Sequence, residues 1–134
     1  MVGCVPLLAA EDVNATASYY QDRLGFVVAD VWPGRWVRLR RGPVVIEIEH
    51  SDTIRRIEKL EKGGLAFRVA DVDAWCAELQ RCGAEFDQGP MDQEYGRRDF
   101  SVIDPNGYRL IFWKPLGDKP EAEQGVEPDC GGIK

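Results

Sequence analysis

Hydrophobic positions recur along the chain at two spacings, every second residue in short runs and every third or fourth in longer ones. The switches between these spacings predict its elements. Residues 5–10 form a short apolar run that reads as a strand. Asp12 then stands as a helix N-cap before Val13, Ala17, Tyr20 and Leu24, which share one helical face, and Gly25 closes that helix. Residues 26–31 and 36–41 read as strands, and Arg41-Gly42-Pro43 turns the chain into a third at 44–49. Ile54, Ile57 and Leu60 predict a connecting helix over about residues 52–62. The order then repeats. A strand at 65–70 leads to a helix capped by Asp71, bearing Val72, Trp75 and Leu79 and ended by Gly83. Strands at 84–88, 98–103 and 108–114 follow, the last two joined by the hairpin signal Asp104-Pro105-Asn106-Gly107.

The halves also match in residues. Ala10-Glu11-Asp12-Val13-Asn14-Ala15 is similar to Val69-Ala70-Asp71-Val72-Asp73-Ala74 at a shift of 59, which marks an internal duplication. The pattern predicts an α+β domain over residues 1–114 made of two tandem βαβββ units, about 4–50 and 64–114. Their sheets are expected to curve around a shared cleft.

Strand alternation names what would line that cleft. Val44, Ile46 and Ile48 point to the first helix, so Val45, Glu47 and Glu49 share the other face, and Trp36 and Arg38 oppose Val37 and Leu39. Tyr108, Leu110 and Phe112 likewise oppose Arg109, Ile111 and Trp113, while Arg68 opposes Phe67 and Val69. The expected cleft therefore carries two carboxylates, two or three guanidiniums and two indoles. Trp75, at helical spacing, reads as core. Trp32 beside Pro33-Gly34 reads as a turn cover, and His50 as a solvated strand end.

Composition changes this picture in three ways. The 134 residues hold 23 acidic and 17 basic side chains, a net charge of −6, which disfavours nucleic acid as a partner. Residues 115–134 supply five acidic and two basic groups with few large apolar side chains. They read as a disordered acidic tail, which leaves the folded body only mildly acidic. Four Trp, four Tyr and five Phe stand beside a single His, which leaves little material for a histidine-built metal site. No apolar run is long enough for a membrane span, and none at the start is preceded by basic residues, so a cytoplasmic chain without membrane contact is expected. Cys4, Cys76, Cys82 and Cys130 form no CxxC pair and read as free thiols. No serine or cysteine has a placed base, and no glycine spacing suits a phosphate loop.

Several ordered segments carry a resemblance. They are Asp12-Val13 with Tyr19-Tyr20-Gln21-Asp22-Arg23-Leu24-Gly25-Phe26, then residues 66–74, then Tyr95-Gly96-Arg97-Arg98-Asp99-Phe100 and Ile103-Asp104-Pro105-Asn106-Gly107-Tyr108. Over about residues 4–114 the chain resembles the glyoxalase, bleomycin-resistance and extradiol-dioxygenase superfamily, the vicinal oxygen chelate proteins. Enzymes of that superfamily hold a divalent metal through four side chains, two from each unit, and use it to polarise substrate oxygens. The matching positions here are Val5, Glu47, Gly64 and Ile111, so three of the four carry no donor.

The resemblance is therefore closest to the metal-free bleomycin-resistance branch, whose members capture an antibiotic without chemistry. Cys4-Val5-Pro6-Leu7-Leu8 resembles the start of such proteins, where a proline near the first strand helps that strand exchange with a dimer partner. Tyr95-Gly96-Arg97-Arg98 resembles their aromatic-Gly-Arg segment. What is implied is a homodimer, with strand exchange near Pro6 left open, that binds a small planar cationic molecule without cofactor or metal. The binding residues would be Trp36, Arg38, Glu47, Glu49, Tyr95, Arg109 and Trp113. Indole faces attract cations and stack on planar rings, and carboxylates pair with amines. Against a cationic ligand, Arg38, Arg68 and Arg109 neutralise those carboxylates if they share the cleft, and an acidic ligand then fits. An ion pair with an arginine is an equal expectation for Glu47. Two alternatives stay open: an enzyme with relocated metal ligands or with Glu47 as general base, and a dimeric module with no ligand.

Overall fold

The computed structural model of the chain describes residues 1–52 and 63–117. The expected connecting helix and acidic tail fall almost wholly outside the described residues. The elements run β1 (Leu7–Ala10), α1 (Val13–Leu24), β2 (Val27–Trp32), β3 (Trp36–Arg41) and β4 (Val44–His50), then β5 (Gly64–Arg68), α2 (Val72–Arg81), β6 (Glu85–Gln93), β7 (Arg97–Ile103) and β8 (Arg109–Pro115). This is βαβββ twice.

Both helices start by the same chemistry. Asp12 Oδ1 accepts a hydrogen bond from the Ala15 amide at 2.9 Å, and Asp71 Oδ1 accepts one from the Ala74 amide at 3.0 Å. Each cap satisfies an amide that the first helical turn leaves without a backbone partner. Gly25 ends α1 in the left-handed region, at φ 74°, where its lack of a Cβ removes the steric penalty. The strand β6 runs past Gln88, where Gly89-Pro90 suggests a stop. It lies at the edge of its sheet, and its pairing with β7 shifts register on both sides of Gln88, so Pro90 interrupts no central ladder.

One sheet has strand order β1-β4-β3-β2 and the other β5-β8-β7-β6, each with one parallel pair and two antiparallel ones. The expectation that the sheets curve around a shared cleft is overturned here. Among the described residues each is an open four-stranded layer that keeps both its edges, and no strand of one pairs with a strand of the other. Without such pairing neither sheet curls or closes.

What the units share is the core on their helix sides. Leu39, Ile46, Ile48 and Tyr20 of the first unit join Phe100, Leu110, Phe112 and Trp75 of the second in one buried cluster. Phe26 lies against Phe67 at 6.3 Å between ring centroids, and the Arg41 guanidinium covers the Trp75 indole at 4.6 Å. Polar groups reinforce this contact. The Tyr20 hydroxyl donates to Asp104 Oδ2 at 2.8 Å, and Asn106 Nδ2 donates to Thr16 Oγ1 at 2.9 Å, all four residues being buried. Asp104 Oδ1 in turn accepts from the amides of Asn106 and Tyr108, which fixes the β7–β8 turn.

Cys4 and Cys76 are free thiols, whereas Cys82 is disulfide-bonded, which corrects the expectation of four free thiols. Among the described residues no helix is long and apolar enough to cross a membrane.

Candidate functional site

In β3 and β4 the buried side chains are Val37, Leu39, Ile46 and Ile48, so the pleat places Trp36, Arg38, Glu47 and Glu49 together on the open face of the first sheet. Register sets Arg38 opposite Glu47 and Trp36 opposite Glu49. Glu47 is held from two sides. Its Oε2 accepts from Arg38 Nε at 3.0 Å and its Oε1 from Trp36 Nε1 at 3.4 Å, while the Arg38 guanidinium lies over the Trp36 ring at 5.0 Å. Of the two expectations for Glu47, the ion pair is the one this geometry realises. Glu49 is exposed, and among the described residues its carboxylate has no side-chain partner.

The open face of the second sheet gathers Tyr95, Trp113 and three residues that are harder to single out in the sequence. Trp113 lies between Asp99 on β7 and Arg68 on β5. The Arg97 guanidinium sits 5.3 Å from the Tyr95 ring centroid and 5.1 Å from that of Trp113, and the Arg68 guanidinium approaches Trp113 at 5.4 Å. Arg97 Nε donates to Asp99 Oδ2 at 3.0 Å. Asp99 is 2% exposed and also accepts from Gln93 Nε2 at 2.8 Å and Gln88 Nε2 at 3.3 Å, the company a buried carboxylate needs.

Arg109 is part of a separate pair on the same sheet. Its Nε lies 3.4 Å from Asp87 Oδ2, the oxygen that accepts from Ser101 Oγ at 2.9 Å, without the alignment of a hydrogen bond. The seven expected residues thus fall into separate groups, Trp36, Arg38, Glu47 and Glu49 on the first unit and Tyr95, Arg109 and Trp113 on the second. Period-two alternation through residues 97–103 is the signal that would have found Arg97, Asp99 and Ser101. Asp87 is hidden by the register shift in β6.

The metal that the resemblance implies does not fit these residues. Val5, Gly64 and Ile111 carry no donor atom. Both oxygens of Glu47 are already engaged. A Cβ built on Gly64 would lie 2.2 Å from the Arg109 carbonyl oxygen, so that position has no room for a ligating side chain. Among the described residues no group of three or more His, Cys, Asp or Glu could hold an ion. His50 instead contacts Asp52 Oδ1 at 2.7 Å. Nor is Cys76 a poised nucleophile, because burial pushes its thiol up, Asp73 adding to the shift and Arg98 opposing it.

Known structures share this architecture. A glyoxalase/bleomycin resistance protein/dioxygenase from Nocardioides superposes with a TM-score of 0.72 at 15% identity, over 93% of this chain and 91% of that one. The bleomycin-binding protein from bleomycin-producing Streptomyces verticillus, complexed with copper(II)-bleomycin, gives 0.67 at 26% identity, over 88% and 98%. A lactoylglutathione lyase from Agrobacterium tumefaciens gives 0.67 at 17%, over 85% and 94%. No curated protein matches the sequence. The sequence model of one family spans residues 4–112. The chain belongs to that family, the Glyoxalase/Bleomycin resistance protein/Dioxygenase superfamily.

Proposed function

We propose that the protein is a metal-independent binding protein that captures a small planar molecule stoichiometrically. The observation that carries this reading is the state of the four family ligand positions. Three lack donors, one of them has no space for a side chain, and Glu47 is committed to Arg38 and Trp36. The open faces meanwhile present aromatic rings suited to stacking, Trp36 on one sheet and Tyr95 with Trp113 on the other. Exposed Glu49, across from Trp36, is the group to receive a cationic substituent. The bleomycin-binding protein of Streptomyces verticillus makes planar cationic antibiotics the first compounds to try.

A second copy of the chain is proposed to cover the open faces, where Leu7, Trp32 and Tyr95 stand exposed. In this structure β1 pairs with its own β4, and the Glu47 amide donates to the Pro6 carbonyl at 2.9 Å. An exchanged strand would make the same bonds between copies. Sedimentation at micromolar concentration reads the dimer directly, and a monomer there rejects it.

The functional test is a thermal-shift screen over planar cationic heteroaromatics, bleomycin included, in buffer containing a chelator. The expected result is a rise in Tm that grows with ligand concentration. It persists with the chelator and shrinks in Trp36→Ala or Trp113→Ala. Stabilisation seen only with added divalent metal contradicts the reading.

A further inference from the structure

The two units carry the same construction on their open faces. In each, a carboxylate takes the Nε of an arginine, and the guanidinium lies against a tryptophan. In the first unit these are Glu47, Arg38 and Trp36, and in the second Asp99, Arg97 and Trp113. The second is built more firmly. Asp99 is buried where Glu47 is not, and Tyr95 contributes another ring to the guanidinium.

The consequence concerns hydrogen-bond donors. A guanidinium has five N–H groups in a rigid planar fork. Arg97 uses one, through Nε, and its four Nη hydrogens have no partner among the described residues. Contact with two rings and a buried carboxylate restrains the plane of the fork, so its terminal edge is pre-ordered and less rotamer entropy is lost when a ligand binds. Arg68, against the same indole, adds a second positive charge close by. Asp99 engages Arg97 through Nε alone, and the edge of the fork remains a donor pair matched to two oxygens of one anion.

We infer that Arg97 is a receptor for an oxyanion group of the ligand. The captured molecule is then planar and acidic, carrying a carboxylate, phosphate or similar group. This deepens the capture reading and rests on it.

The two claims separate in one calorimetric experiment with aminoacridine and aminoacridine carboxylate, which share a planar cationic scaffold and differ by the acid. The carboxylate is expected to bind at least about tenfold more tightly, as a charge-assisted pair of bonds allows. Arg97→Lys keeps the charge beside Asp99 but loses the fork. Whatever it does to the affinity for aminoacridine, it is expected to abolish most of that advantage, read as the ratio of the two affinities, with the far-ultraviolet circular dichroism of the wild type. If aminoacridine binds and its carboxylate binds no better, or if Arg97→Lys keeps the full advantage, the receptor is refuted and planar capture stands. If neither compound binds, both are refuted.

Discussion

The arginine-held carboxylates Glu47 and Asp99 look alike in a contact diagram and differ in what surrounds them. The side chains of Arg38 and Glu47 are 40% and 21% exposed, so water screens their attraction and replaces much of what is lost when it is broken. Glu47→Ala is predicted to lower the unfolding free energy by less than about 1 kcal/mol. Asp99, 2% exposed with three donors aimed at it, has no such replacement. Asp99→Ala is predicted to cost about 2–4 kcal/mol, because Arg97 and two glutamines lose their acceptor together. Urea unfolding of both variants decides the matter, and equal losses would show that burial is not the controlling variable. Of this site, the alternation in 36–41 and 44–49 made Trp36, Arg38, Glu47 and Glu49 legible as one face. Which carboxylate is buried depends on packing across three strands, and no pattern local to residue 99 contains it.

At the scale of the element, both helices could be placed to within a residue, because an aspartate cap at one end and a glycine at the other are local chemistry. The reach of β6 could not, since Pro90 is compatible with a strand only at a sheet edge, and edges are a property of topology. Gly64 shows the same limit. It reads as a vacated metal position, and the structure adds that the Arg109 carbonyl fills the space where its side chain would begin. Gly64→Ala is therefore predicted to spread the β5–β8 pairing at a cost of about 1–3 kcal/mol, an overpacking effect. A denaturation midpoint equal to the wild type would mean that the strand yields freely. A histidine placed there is expected to lower stability without conferring metal affinity.

At the scale of the whole molecule, the duplicated βαβββ order was written in the sequence, and the way the duplicates meet was not. Amphipathic strands say that each sheet has a polar face. They do not say whether two such faces enclose a space, and here the units join through their helix sides while the sheets stay open. The Tyr20–Asp104 hydrogen bond is part of that junction. Burial pushes the Tyr20 hydroxyl well above its ordinary 10.0, and the charge and hydrogen bond of Asp104 push it further. A phenol whose folded pKa is raised holds its proton more firmly in the native state. Its contribution is complete below 10.0 and is lost as pH rises beyond that value toward the folded pKa. Stability measured across this range is predicted to fall for the wild type and to fall less steeply for Tyr20→Phe. Parallel curves would remove Tyr20 from the explanation.

On the proposed reading the open faces carry the function, and that they do so without metal is its central claim. Elemental analysis of the purified protein, folded and dialysed without chelator, tests it most directly. The prediction is that no divalent metal is bound in stoichiometric amount, in the wild type or in Glu47→Ala. One tightly held ion per chain in the wild type, lost in Glu47→Ala, would contradict it.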